Sequence, residues 1–474
     1  MAEHGLEVPL RAETDADHTE PLEVEHAHTG ALAGSNAVFD ALCEQYGVIR
    51  VADFDQLIET AGSFTAFGSR LPKSGRTGTI TISGGQVGML LDLTGHSGVT
   101  LEDLTETTHA DLATVLGRPV PISNPLDAGG TGGRPEVYAR CLDLITADPR
   151  VDLVAVCSPA DANGKRAQEV ADATLALRQR TAKPVAFLTA DAEAVAPASR
   201  SALIAAEIPV LTAGRSGFDT LSRCIRFAAA VAPAPSPHPP QTAPLSSEVG
   251  RLLQAGRPNL NEHASLSVLA ACGIPVVPHA LVTNSDQAVA AAEHIGYPVA
   301  VKACSADLPH KSDVGAVRLN CRTPPDVAAA YAEVVNNVRS HAPTAALDGV
   351  LVAAMRSGIE LIAGIVRDAA YGPVVLVGIG GIFAEVVNDV AMRLAPLSRS
   401  DADAMIGGLK GARLLGGYRG RATVDREALV ATIVTLSDLA ITLPSDVHAI
   451  DINPLIASGE GVVAVDALVT RRAG

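Results

Sequence analysis

Aromatic side chains are almost missing from this chain: they make up 3% of its 474 residues, and tryptophan is absent. Interiors must therefore be filled by Ala, Val, Leu and Ile, the usual stuffing of α/β domains, and a hydrophobic fraction of 47% supplies enough of them. Positive charge is also scarce. Lys and Arg number 36 against 52 Asp and Glu, a formal charge of −16 with no basic run, which argues against nucleic-acid or anionic-membrane surfaces. The seven cysteines stand singly with no CxxC pair, so zinc ribbons and disulfide frameworks are excluded and a reducing cytoplasm is expected. No apolar run of about 18 residues suggests a membrane span. The acidic start, MAEHGLEVPLRAETDADHTEPLEVE, has no apolar region of the kind a signal peptide needs.

What is present divides the chain clearly. VAPAPSPHPPQTAPLSS, at 231–247, cannot pack a core and reads as an extended linker. Before it, the short apolar runs GTITIS (78–83), VDLVAVCS (151–158), KPVAFLTA (183–190) and IPVLTA (208–213) alternate with Ala-rich helical lengths. That is the pattern of a parallel sheet covered on both faces. The first of these strands runs into SGGQVG, a turn whose glycines would let N–H groups converge at a helix start. Residues 26–74, from HTGALAGS through a helix (36–46), a strand (47–52) and a helix (53–64), make only half an α/β unit.

After the linker the pattern becomes α+β. A helix, NEHASLSVLAACG, is followed by a strand, IPVVPHALV, and then by strands at 349–355, 359–368 and 372–381. The chain closes with HAIDINPLIASGEGVVAVDALV, read as a hairpin. The expected domains are a polar leader (1–25), a partial ligase segment (26–74), a flavodoxin-like domain (75–230), the linker (231–250) and a C-terminal domain (251–474).

Several side chains in the last domain carry chemistry. Lys302 ends an apolar strand, from which it either snorkels to solvent or meets a phosphate as a point charge. Asp451 and Asn453, two apart, face one side of a strand, and Asp466 falls opposite in the hairpin. Such hard oxygens suit Mg²⁺, which keeps several waters and takes few protein ligands.

YPVAVKACSADLPHKSDVGAVRL, GPVVLVGIGGIFAEVVNDVAMRLAPL and HAIDINPLIASGEGVVAVD together resemble the ATP-grasp domain of the NDP-forming acyl-CoA synthetases. This is the family of ADP-forming acetate–CoA ligase, related to succinyl-CoA synthetase. HTGALAGSNAVFDALCEQYGVIRVADFDQLIETA resembles its phosphohistidine segment, and SGGQVGMLLDLTGHSGVTLEDL with NPLDAGG resembles its flavodoxin-like ligase domain. The resemblance implies an α/β protein with a C-terminal α+β ATP-grasp domain. It also implies the reaction acid + CoA + ATP ⇌ acyl-CoA + ADP + phosphate, by way of an acyl phosphate and a phosphohistidine.

Roles follow by resemblance. His28 falls on the phosphoryl-carrying histidine, and a neutral imidazole is a competent nucleophile near neutral pH. His310 matches a candidate second carrier, and Asp451 an acidic residue near the incoming phosphohistidine. Lys302, Lys311, Glu360 and Arg393 fall on nucleotide-binding positions, and Asn453 and Asp466 on Mg²⁺ ligands. ATP/ADP, Mg²⁺, a carboxylic acid and CoA are the implied cofactors and substrates, in an oligomer.

The sequence departs from the family at three places. Ala316 replaces a glycine after HKSD, where a positive φ would strain it. The hinge strand ends in Ala353-Ala354-Met355 rather than Gln-Glu-Met. The family's N-terminal CoA-binding domain has no counterpart before His28, so a CoA-binding partner subunit is expected. A catalytically incomplete ATP-binding regulatory subunit and an ATP-grasp carboxylate–amine ligase are the alternatives. The second of these leaves HTGALAGS unexplained.

Overall fold

The computed structural model describes residues 10–11, 35–94, 98–117, 121–129, 134–159, 164–191, 195–230, 245–253, 258–308, 311–381, 389–417 and 423–472. It forms two compact units, Met1–His18 with Tyr46–Ala234 and Thr19–Gln45 with Pro235–Gly474.

In the first unit, a two-residue strand β1 (Leu10–Arg11) pairs in parallel with β2 (Ile49–Arg50). The main sheet contains β3 (Thr77–Thr81), β4 (Leu126–Asp127), β5 (Leu153–Cys157), β6 (Val185–Thr189) and β7 (Val210–Thr212), in the order β4-β3-β5-β6-β7, all parallel. Every residue of β3, β5 and β6 is buried, as expected for strands covered on both faces. Alternation divides β5 between two cores. Val154 and Val156 pack with Leu142 and Phe187, whereas Leu153, Ala155 and Cys157 pack with Leu90, Phe218 and Leu221. The four strands expected from apolar runs are all present; β4 is too short to show a pattern.

The described residues of the expected 26–74 segment divide between the two units. The helix Ser35–Gln45 belongs to the second unit, where Val38 packs with Val374 and Leu394. Gln45 brackets Leu394, donating to its carbonyl at 3.0 Å and accepting from its N–H at 2.8 Å. The helix Phe54–Phe67 remains in the first unit against the helix Arg215–Ala230: Phe64 meets Phe227 edge-on at 4.9 Å, and Glu59 accepts from Thr212 N and Ser216 Oγ.

Among the described residues the second unit has two antiparallel sheets. The smaller contains β8 (His279–Val282), β9 (Val299–Cys304), β10 (Val317–Cys321) and β11 (Gly349–Ala354), in the order β10-β9-β11-β8. One face buries Val299, Val301 and Ala303 with Ala288 and Ala292 of the helix Ser285–Ile295 and Val327, Val334 and Val338 of the helix Pro324–His341. The larger contains β12 (Ile359–Asp368), β13 (Gly372–Ile379), β14 (Val390–Leu394), β15 (Val447–Ser458), β16 (Gly461–Ala464) and β17 (Ala467–Arg471). Its order is β14-β13-β12-β15-β16, with β17 also on β15. The helix Arg426–Thr442 covers it through Ile433 and Leu436.

The closing segment is more than a hairpin. β15 pairs first with β17, over Val447–Ile452, and then with β16, over Leu455–Ser458. The break between them falls at Val465-Asp466, opposite Asn453-Pro454. The expected linker also ends early, because a helix, Ser247–Leu253, begins within its last residues.

Candidate functional site

Lys302 is in β9, whose residues are all buried. Its neighbours Val301 and Ala303 point into the helix-covered core, so period-two alternation turns Lys302 to the opposite face with Cys304. There its ammonium meets the carboxylate of Glu262 at 2.6 Å and that of Asp466 at 3.1 Å. Lys311, at the start of the turn after β9, meets the same two carboxylates at 2.5 and 3.3 Å. The four groups form a neutral quartet in which Glu262 is 1%, Lys302 7%, Lys311 11% and Asp466 27% exposed.

Each member is placed by its own element. Asn261 caps the helix Glu262–Ala271 by accepting from Ala264 N at 2.9 Å, which puts Glu262 first in the helix. That helix is pinned to β17, since Leu260 N donates to Val469 O at 3.0 Å and Val469 N donates to Ser265 Oγ at 3.2 Å. Lys311 is held by its turn, closed by Ala316 N donating to Lys311 O at 2.9 Å. Gly315 alone takes the left-handed conformation there, at φ +64. Ala316 does not, and is fully buried, so the strain expected from replacing a glycine at this position does not arise.

Burial alone would lower the Lys302 and Lys311 pKa values, but the charges of Glu262 and Asp466 outweigh it and hold both above the usual lysine range. Burial would likewise raise Asp466; the two lysines overcome it and keep the carboxyl below its usual range. A buried ion-pair network adds little net stability over an apolar replacement, so strongly perturbed charges in one cluster mark a functional candidate.

The expected metal ligands Asn453 and Asp466 lie opposite one another through their backbones. Asn453 N donates to Asp466 O at 3.2 Å, and Val465 N donates to Pro454 O at 3.0 Å. Among the described residues no group of three or more His, Cys, Asp and Glu side chains could hold a metal. One carboxylate and one amide oxygen fit Mg²⁺, which keeps most of its waters, and do not fit a cation needing an all-protein cage.

Asp451, two residues before Asn453, is buried and in register with Gly364. Glu360 lies four residues before Gly364 on β12, hence on the same face of the sheet as Asp451. Its carboxylate borders Gly381, where an added Cβ would come within 3.1 Å of it; Gly381 also has φ +79, a conformation that strains any other residue.

Arg393 lies on the face of the larger sheet away from Asp451 and Glu360. It aligns with Val375, Ile365 and Ile450 across the sheet, one residue out of step with Asp451 and therefore on the other face. Its guanidinium bonds Asp401 at 2.6 Å, in the capping box of the helix Arg399–Gly408. His28 and His310 lie outside the described residues. Glu262 is the site residue that sequence reasoning missed. Its one signal is an acid opening an otherwise apolar helix, which equally suits the helix dipole.

In the first unit, SGGQVG forms the start of the helix Gly84–Thr94 at the carboxyl end of β3, where Gln86 Nε2 donates to Ser158 O, at the end of β5, at 2.9 Å. The strand order reverses between these two strands.

Comparison with known proteins agrees with this arrangement. An ATP-grasp domain family matches residues 251–470, and a succinyl-CoA ligase-like flavodoxin domain family matches 16–64. The beta subunit of acetate–CoA ligase [ADP-forming] I of Pyrococcus furiosus is 39% identical over 209 residues, 44% of this chain and 90% of that protein. The chain belongs to the family of ADP-forming acetate–CoA ligases and related CoA ligases. Two other members align over nearly its whole length. The 4-hydroxybutyrate–CoA ligase [ADP-forming] of Nitrosopumilus maritimus is 30% identical over 92% of this chain and 62% of its own length. The acetate–CoA ligase [ADP-forming] I of Archaeoglobus fulgidus is 31% identical over 93% and 62%. The chain thus spans less than two thirds of these relatives. All members of the quartet, with Glu360, Asp451 and Asn453, fall in the ATP-grasp match of this CoA-ligase family member, and His28 falls in the flavodoxin match.

Proposed function

We propose that this protein catalyses acid + CoA + ATP ⇌ acyl-CoA + ADP + phosphate. The observation that carries the reading is the buried quartet of Lys302, Lys311, Glu262 and Asp466 inside the ATP-grasp match. Two fixed ammonium groups are suited to the oxygens of a nucleotide's phosphates, where charge develops as the terminal group transfers. Asn453 and Asp466 would hold Mg²⁺, which supplies neutralising charge on those same oxygens when bound.

The γ-phosphoryl group passes from ATP to a nitrogen of His310, with the bond to the β-phosphate oxygen breaking and ADP leaving, and from there to a nitrogen of His28, which frees His310. A carboxylate oxygen of the acid then accepts the phosphoryl group, freeing the imidazole and giving an acyl phosphate. The CoA sulfur attacks the acyl carbon, phosphate departs, and the thiol proton is released to buffer. His310 serves as a carrier on the nucleotide side, and Asp451 stands on the larger sheet to receive the imidazolium. Lys302 and Lys311 grip the phosphates, with Glu360 on the face of the nucleotide. Relatives include separate alpha and beta subunits in Pyrococcus furiosus. CoA binding in this protein is accordingly assigned to a partner chain. We assign the reaction to the cytoplasm, whose reducing conditions suit a sequence with seven singly spaced cysteines and no CxxC pair.

The test is release of ADP and phosphate by the protein with its CoA-binding partner, given ATP, Mg²⁺ and a panel of carboxylic acids. Turnover that needs both acid and CoA is expected. Turnover that proceeds with an amine in place of CoA would point to a carboxylate–amine ligase. ATP binding without turnover on any acid would point to a regulatory subunit.

A further inference from the structure

We propose that Glu262 is a positioning residue that ties Lys302 and Lys311 into a single phosphate clamp. The inference rests on reading their cluster as the nucleotide-phosphate site.

Three observations carry it. First, the two lysines come from separate elements, β9 and the turn after it, and among the described residues two carboxylates connect them. Second, those carboxylates differ in access. Asp466 is 27% exposed and lies at the break between β16 and β17, open to a ligand, whereas Glu262 is 1% exposed and faces no solvent. Third, Glu262 makes the shorter contact to each lysine, 2.6 Å to Lys302 and 2.5 Å to Lys311, against 3.1 and 3.3 Å for Asp466.

When phosphates and a cation draw Asp466 away, Glu262 is the counter-charge that remains. Without it two ammonium groups would share a low-dielectric site with no fixed anion between them, and their repulsion would separate the turn from the strand. The carboxylate is too deeply buried to touch a substrate, so it acts through the lysines alone. Its rigidity comes from the Asn261 cap and from Leu266, Val268 and Leu269 of the same helix, all fully buried.

The experiment compares affinity for ADP with affinity for adenosine, by calorimetry and competition, in wild type, Glu262→Gln and Glu262→Asp. Adenosine lacks the phosphates, so the ratio of the two affinities isolates the clamp from general damage to the fold. Wild type is expected to prefer ADP strongly. Glu262→Gln should lose about 10- to 100-fold in ADP affinity, the usual worth of a charged hydrogen bond, with adenosine binding within about twofold of wild type. Glu262→Asp, which keeps the charge and shortens its reach, should recover part of the loss and serves as the test if the Gln variant does not fold. Equal weakening of both ligands, or undiminished preference for ADP, would overturn the positioning role. A wild type with no preference for ADP would instead overturn the nucleotide site itself.

Discussion

The N–H of Asn453 donates to the carbonyl of Asp466 across the gap where β16 gives way to β17, at 3.2 Å, while the carboxylate of Asp466 sits 3.1 Å from Lys302. One residue thus joins the expected metal position to Lys302 and Lys311. Replacing Asp466 by Asn should therefore affect the metal more than the nucleotide. Comparison of ADP affinity in Mg²⁺ and in EDTA should show the metal-dependent gain cut by about tenfold or more. The affinity in EDTA should shift by less than about threefold. Equal loss under both conditions would contradict the assignment.

Lys302→Met keeps much of the side-chain volume and removes the charge, leaving the Glu262 carboxylate buried with Lys311 alone. Breaking a buried pair from one side costs about 3–5 kcal/mol. The unfolding midpoint of the ATP-grasp unit in urea should fall accordingly. Adding Glu262→Gln to the same chain should recover part of the loss, because the second change removes the orphaned charge. An unchanged midpoint in Lys302→Met would show that the lysine is not buried in this quartet.

Arg393 and Asp401 form their pair on the face of the larger sheet away from Asp451. Arg393→Gln is expected to leave ADP affinity unchanged within about twofold. It should cost roughly 1 kcal/mol of stability, the scale of a partly exposed ion pair. A large loss of nucleotide affinity with normal stability would return this residue to the binding site.

The pattern of what could be read in advance has physical causes. β3, β5 and β6 were legible because burial on both faces makes their sequences continuously apolar, and Lys302 was legible as a charge interrupting such a strand. Glu262 was not. It meets Lys302 from 40 positions away, and Lys302 meets Asp466 from 164, so nothing local marks the quartet. The face on which Arg393 lies depends on register carried across four strands, and a one-residue step reverses it. The helix Ser35–Gln45 displays apolar Val38 and Leu42, but a sequence does not say which sheet will cover them. The break at Val465-Asp466 was hidden because GVVAVDALV reads as one continuous strand.

Acid should weaken the second unit at unusually mild pH. Burial, and then the neighbouring His279 ring at 5.3 Å, lowers the pKa of His263; burial, and then Arg472, lowers that of His448. Unfolding restores both to about 6.5, so below that value the unfolded chain binds more protons than the folded one. Stability should consequently fall as pH drops below about 6.5, more gently than for fully buried rings because both are part-exposed. The His263→Gln, His448→Gln double variant should flatten this slope in chemical denaturation. Stability that rises as pH falls through this window would contradict the placement of both rings.

Phosphoryl transfer through histidine is the step on which the proposed reaction depends. Its direct measurement is incubation of the protein with γ-labelled ATP and Mg²⁺, followed by acid and base treatment of the labelled chain. Acid-labile, base-stable label is predicted, greatly reduced in the His28→Ala, His310→Ala double variant. Label that persists undiminished in that double variant would contradict it.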